Sequence, residues 1–302
     1  MRQVCVIIPV FGREAVFNNI PQARRSAAGC ADVRFIVVDN GNPAPLKEKL
    51  AALAGADVSV LRLESNLGGA GAYAAGMSAA LKTSCEFLWL LDDDAVPDGE
   101  TLRELLRTLD EVSRSGGRPG AAASTLLSSA DPERIIESGA FVRGLYGKLC
   151  AGYKNRRIGD VPAGYRPCEY SAAASILIPA RTVRDVGVFA QTFIHYDDVE
   201  WCFRAAKHGY GIYVSTLSRV HHPDWAANFS VWLRYYNTRN KLWFLRQYRR
   251  RQWFFSEILL RVKALFFACT GRRNDARLMS LGIKHAADGT LLMRDAVEKF
   301  IR

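Results

Sequence analysis

Four short apolar runs punctuate the first hundred residues, and each ends on polar residues or a turn. They are VCVIIPV (4–10), RFIVVDNG (34–41), VSVLRLESN (58–66) and EFLWLLDDD (86–94). Stretches of helical length lie between them, among them LGGAGAYAAGMSAALK, where glycines lead into an Ala-rich run. Apolar, β-branched runs spaced in this way predict parallel strands joined by crossover helices, an α/β fold. Ligands of open sheets of this kind bind beyond the carboxyl ends of the strands. The places to inspect are therefore Pro9 to Phe11, Asp39 and Asn40, Glu64 to Asn66, and Asp92 to Asp94.

The next segment, DGETLRELLRTLDEV (98–112), reads as a helix with Asp98 as its N-cap. Residues 114–170 are rich in Gly, Ser and Pro and show no sustained period. Order returns with SILIPARTVRDVGVF (175–189), a strand followed by a short helix. HYDDVEWCFRAAKHGYGIYV (195–214) follows as a helix capped by Asp197 or Asp198, ended by Gly209 after Lys207 and His208, and then a strand. VHHPDW (220–225) reads as a loop. From Val231 onward the pattern is helical, aromatic and basic. The expected division is a catalytic unit over 1–230, split near residue 112 into two halves, and a helical extension over 231–302.

Length and composition narrow the class. A chain of 302 residues, 49% hydrophobic and 24% charged, is globular and large enough to bury a substantial core. Seven cysteines without a CxxC pair predict free thiols rather than a disulfide framework or a zinc site. The N-terminus runs directly into the first strand with no cleavable signal pattern, so a cytoplasmic location is expected. The net charge is +11, but eleven Lys/Arg against one acid fall between Arg234 and Arg273, which leaves the rest near neutral. One basic, aromatic-rich block predicts a docking surface rather than a nucleic-acid-binding protein. Trp232, Tyr235, Tyr236, Trp243, Phe244, Trp253, Phe254, Phe255, Phe266 and Phe267 would supply interfacial aromatics around Arg246, Arg249, Arg250 and Arg251. The apolar run from Trp253 to Cys269 is broken by Glu257, Arg261 and Lys263, so it should lie along an anionic membrane rather than span it. A homodimer interface is the other role considered for this block.

Three adjacent aspartates usually form a solvated turn. At the carboxyl end of a buried strand they sit instead where a ligand is expected, and hard divalent cations take carboxylate together with phosphate oxygen. On an extended segment Asp92 and Asp94 point the same way and can share one ion, while Asp93 faces elsewhere, toward a ribose. Gly68 and Gly69 precede a helix whose N–H groups can approach a phosphate. GGAG lacks both GxGxxG spacing and a P-loop lysine, which excludes a dinucleotide fold and an ATPase. The lead loop VIIPVFGREAVFNN likewise lacks the triphosphate loop of a pyrophosphorylase. A histidine such as His221 or His222 is more often a solvated loop residue. Beside two carboxylates, His222 would favour Mn2+ over Mg2+. Asp197 and Asp198 serve as helix caps or as a base.

Taken together and in order, VIIPVFGR, VVDNG, NLGGAGAYAAGM, LLDDDA, HYDDVEWCFRAAKHGY and YYNTRNK resemble the family-2 inverting glycosyltransferases of GT-A fold over roughly residues 3–245. Within that family they look most like bacterial galactofuranosyltransferases, with rhamnosyltransferases that use dTDP-rhamnose second. The resemblance implies a mainly parallel mixed sheet flanked by helices. It implies that Pro9, Phe11, Arg13, Asp39 and Asn66 hold the uridine and diphosphate of a UDP-sugar, and that Asp92, Asp94 and His222 bind Mn2+ or Mg2+. Asp198 would be the base, with Asp197, Trp201 and Trp225 on the acceptor side and Asp197 or Glu200 next in line if Asp198 only caps the helix. A lipid-linked or growing surface glycan such as an O-antigen would be the acceptor, placing the enzyme at the inner face of a bacterial cell membrane. The chain lacks the extra domains of the long polymerising members, so single addition or short-chain synthesis is expected.

Overall fold

The computed structural model describes residues 1–224 and 230–300. The first half begins with β1 (Arg2–Val10), α1 (Val16–Ala27), β2 (Ala31–Asp39), α2 (Leu46–Ala51) and β3 (Val58–Arg62). It continues through α3 (Gly68–Ala80), β4 (Phe87–Leu91), β5 (Val96–Pro97) and α4 (Thr101–Arg114). The second half carries β6 (Pro119–Ser128), β7 (Ile135–Glu137), β8 (Ala140–Arg143), β9 (Lys148–Ala151), β10 (Tyr165–Cys168) and β11 (Ser175–Pro179). After these come α5 (Ala180–Val186), α6 (Asp197–Lys207), β12 (Gly211–His222), α7 (Leu233–Tyr248), α8 (Arg250–Cys269), α9 (Arg273–Asp288) and α10 (Arg294–Glu298).

The main sheet runs β10-β12-β6-β11-β4-β1-β2-β3. Strands β3, β2, β1 and β4 are mutually parallel, as the apolar runs predict. FLWLL of β4 is buried at every position because helices cover both faces. Strand β11 inserts antiparallel between β4 and β6, and β12 lies parallel to β6, so the sheet is mixed. The stretch that resists reading contains β6, whose small residues PGAAASTLLS are all buried. It also contains a separate hairpin, β8–β9.

Three local expectations are corrected. Asp98 does not cap α4: the helix begins at Thr101, whose N–H goes to the Asp98 carbonyl at 3.2 Å, and no side chain caps it. Pairing of β5 with β12 claims this segment, and the Asp98 carboxylate faces His221 Nε2 at 3.1 Å. His221 and His222 are likewise not in a loop but end β12, with His222 opposite Ser128. Asp197 and Asp198 are the first residues of α6 rather than its cap, a position held by Tyr196 in a left-handed conformation (φ 67°). Gly209 (φ 79°) ends that helix as expected.

The C-terminal helices are built into the body. Tyr235, Tyr236, Phe244 and Phe267 are buried, so these four aromatics serve packing and not an interface. Arg249 pairs with Glu169 at 2.7 Å, and Arg246 donates to the Ala287 carbonyl at 2.9 Å. Helix α8 differs. Its inner side (Ser256, Ala264, Phe267) is buried, while Phe254, Ile258, Leu259, Val262, Leu265 and Phe266 are exposed. No helix among the described residues is long and apolar enough to cross a membrane. All seven cysteines are free.

Candidate active site

Chain order reverses between β1 and β4, and the polar residues gather at this switch point. After Leu91 the Asp92 N–H bonds the Ala174 carbonyl at 3.2 Å. The buried Asn19 amide then donates to three carbonyls of the acidic turn, those of Asp92 (3.1 Å), Asp93 (2.6 Å) and Ala95 (2.9 Å). One side chain thus fixes the backbone that carries the carboxylates. Pairing of β5 with β12 brings this turn to the carboxyl end of β12. His222 Nε2 lies there 3.7 Å from Asp92 Oδ2 and 3.4 Å from Asp94 Oδ1.

Ligand atoms of Asp92, Asp94 and His222 all fall within 4.8 Å of one another. Nδ1 of His222 sits 2.6 Å from the Pro223 carbonyl, a contact that makes Nδ1 the donor and turns Nε2 toward the two carboxylates. Burial lowers the His222 pKa, yet Asp92 and Asp94 outweigh it and the net shift is upward. For Asp92 burial acts upward, but His222, the Tyr73 hydroxyl at 2.6 Å and Arg13 prevail, and its pKa is lowered. Burial drives Asp93 up to about 7 against the Arg13 guanidinium 2.7 Å away, and Asp94 and Asp92 add to the rise. Arg13 also pairs with Asp94. Asp94 Oδ1 and Asp93 Oδ2 are buried without a hydrogen-bond partner. Two carboxylates, an oriented imidazole and an unsatisfied buried oxygen form a donor set that fits a divalent cation.

The ends of β1, β2 and β3 frame the adjoining space. Asp39 is buried, accepts the Asn42 N–H (2.9 Å) and Nδ2 (2.8 Å), and pairs with Arg62. Asn40 bonds Asn66 (3.0 Å) and the Leu67 N–H (2.9 Å), and Asn66 in turn accepts the Gly68 N–H at 2.8 Å. Gly68 (φ 73°) is packed so tightly that a Cβ there would meet the Phe193 carbonyl oxygen at 1.9 Å. The Ala70 N–H also bonds Phe193 O, so two N–H groups at the start of α3 are already engaged within the protein. Pro9 is the penultimate residue of β1, and Phe11 and Arg13 are exposed just beyond the strand.

Across the site, Asp197 and Asp198 open α6. Burial raises both; the charge of Asp198 adds to the rise of Asp197, and the charge of Asp92 adds to that of each. Asp198 is held down by backbone N–H groups of Val199 (2.7 Å) and Ala173 and settles at about 6, while Asp197 lies well above its ordinary value. Near neutral pH Asp198 is therefore ionised. Glu137, which the sequence offered no reason to choose, is buried nearby. Burial pushes it up to about 7, and the charge of Asp198 adds to this although the Ala172 N–H acts against it.

A model of glycosyl transferase family 2 matches residues 5–136. The galactofuranosyltransferase GlfT1 of Mycolicibacterium smegmatis is 30% identical over 227 residues, 73% of this chain and 70% of that protein. The chain belongs to glycosyltransferase family 2. The pre-mycofactocin glycosyltransferase of Mycobacterium tuberculosis is 26% identical over 232 residues, which are 75% of this family 2 glycosyltransferase and 45% of the relative. The chain thus spans about half the length of that relative. A crystal structure of GalNAc-T7 with UDP, GalNAc and Mn2+ superposes with a TM-score of 0.59 at 12% identity. That match covers 81% of this chain and 48% of the other, and it shows the GT-A-like fold.

The fold of the glycosyltransferase brings Arg13, Asp92, Asp93, Asp94 and His222 together and sets Asp39, Asn66, Gly68 and Gly69 along the neighbouring strand ends. It does not bring Trp201 to the site: that ring is fully buried beside Phe189, and its N–H goes to the Gly187 carbonyl at 2.8 Å. Glu200 is also turned away, paired with Arg204 at 2.9 Å and bonded by the Tyr248 hydroxyl at 2.7 Å. Trp225 lies outside the described residues. Tyr73, Arg62 and Asn42 were missed. Tyr73 is the one aromatic side chain in an Ala/Gly-rich helix, which is the signal that would have found it.

Proposed function

We propose that this glycosyltransferase moves galactofuranose from UDP-galactofuranose to a hydroxyl of a lipid-linked or growing cell-surface glycan, with inversion. The observation that carries the reading is the separation of tasks between two carboxylate groups. Asp92 is held ionised beside His222 and Asp94, whereas Asp198 at the start of α6 is raised to about 6, where a carboxylate can take a proton. In this reading Asp198 takes the proton of the acceptor hydroxyl as its oxygen bonds to the anomeric carbon. The bond from that carbon to the diphosphate oxygen breaks, and UDP leaves. Asp92, Asp94 and His222 would hold Mn2+ or Mg2+, which supplies charge stabilisation for the leaving diphosphate when bound. Asp39, Arg62 and Asn66 border the space for the nucleotide. The relative named as a galactofuranosyltransferase supports the choice of sugar. In a panel of nucleotide sugars with Mn2+, UDP-galactofuranose should be consumed fastest. Faster use of dTDP-rhamnose would overturn the donor assignment.

The outward face of α8 supports action at an anionic membrane. Its exposed apolar residues are flanked by Arg250, Arg251 and Arg261, all exposed. Basic residues at an anionic leaflet contribute on the order of 1 kcal/mol each. The protein should float with anionic but not neutral liposomes, and Arg250→Gln/Arg251→Gln/Arg261→Gln should reduce that recovery. Equal recovery on both vesicle types would remove the membrane from this reading.

A further inference from the structure

A cavity of about 370 Å³ lies between the β8–β9 hairpin and helices α7, α8 and α9. Lys148, Lys241 and Lys263 line it, one from each of three different elements, and no carboxylate does. The fourth cation of the lining, Arg234, is paired with Asp275 at 2.8 Å. The three lysines form no ion pair among the described residues, and Lys263 lies 5.6 Å from the centre of the Phe267 ring. Lys241 is half-buried. Burial lowers its pKa and the charge of Lys263 lowers it further, so the two ammonium groups repel across the opening. Solvated lysines ordinarily spread apart. Three that line one concavity with no carboxylate in its wall are arranged for an anion.

Two neighbours say which anion. Tyr196 forms part of the wall, directly before Asp197 and Asp198, and Asn237 on the same wall bonds His195 at 2.6 Å. Leu149, Leu260 and Met279 add apolar surface to the lining. The ligand is therefore anionic at one end, apolar at the other, and placed next to the acceptor side of the site.

We propose that Lys148, Lys241 and Lys263 bind a phosphate or diphosphate carried by the acceptor, at a site separate from that of the donor diphosphate. This rests on the acceptor reading above. The shared chemistry has two sources, a lipid-borne diphosphate and free inorganic phosphate, and the test separates them.

Calorimetry on the whole chain in EDTA, without divalent metal, uses inorganic pyrophosphate and farnesyl diphosphate as probes. Both should bind, farnesyl diphosphate more tightly, and Lys241→Gln/Lys263→Gln should weaken each by about tenfold or more. Lys148→Gln, on the exposed hairpin, should reproduce part of that loss without disturbing helix packing. UDP binding in Mn2+ should match wild type in both variants. Pyrophosphate binding that is absent from wild type, or equal in all three proteins, would overturn the site. Equal affinity for the two probes would overturn the lipid-borne source and leave a free anion. Failure of wild type to bind UDP with Mn2+ would count against the donor reading alone.

Discussion

Asp198→Asn should slow sugar transfer by about 10²–10⁴-fold while UDP binding in Mn2+ stays at the wild-type level. Asparagine keeps the oxygen that accepts the Val199 N–H, now 2.7 Å away, so α6 retains that bond and the fold is preserved. What it loses is a group able to take a proton. The same assignment fixes a pH profile. A base works when ionised, and Asp198 is raised to about 6, so the wild-type single-turnover rate should climb as pH rises through about 6 and level off above it. The variant should lack that limb. A loss smaller than tenfold would reduce Asp198 to a stabiliser of the helix start and make Asp197 the next residue to test.

Asp94→Ala should abolish metal-dependent transfer and, at the same time, leave the metal-free protein folded, because the lost pairing with Arg13 is set against the relief of repulsion with Asp93. Asp94 Oδ1 is buried with no hydrogen-bond partner, and the charge of Asp94 raises Asp93. Removing it relieves repulsion within the acidic turn, whose backbone is held by Asn19 and does not depend on this side chain. Mn2+ added to wild type should raise the melting temperature by binding the native state only, and the variant should lose that rise. His222→Ala should show a smaller loss, since both carboxylates remain. Normal turnover by a folded Asp94→Ala protein would end the metal assignment.

Part of the fold was legible because burial writes itself into composition. FLWLL is continuous and apolar since both faces of β4 are covered, and its end marks the acidic turn. Strand β6 is buried as completely but is built from Ala, Gly, Ser and Thr, whose hydropathy says nothing about period. Strand β12 ends in SRVHH, polar residues before a proline, which imitates a loop although the ladder continues to His222. Asp98 carries the local signature of a cap, but pairing of β5 with β12, over a hundred residues apart in the chain, takes the segment into the sheet. Tertiary pairing overrides local preference there. Trp201 failed for the opposite reason. An aromatic near an acidic motif resembles a sugar platform, and only the packing around Phe189 reveals a core residue. Glu137 left no trace at all, because its surroundings come from β6, the 170–173 segment and α6.

The amide of Asn240 on α7 donates to the carbonyls of Thr192 (3.0 Å), Ile194 (2.8 Å) and His195 (3.1 Å). Within that stretch Phe193, His195 and Tyr196 all adopt left-handed backbone (φ 68°, 63° and 67°), a conformation that costs roughly 1–2 kcal/mol per residue outside glycine. Left to itself, the segment would relax and carry the start of α6 with it. Helix α7 is thus a splint for the acid pair. Without α7 the segment would lose the contacts that align Asp197 and Asp198. The tail that faces outward through α8 and the acid pair inside are two ends of one mechanical part.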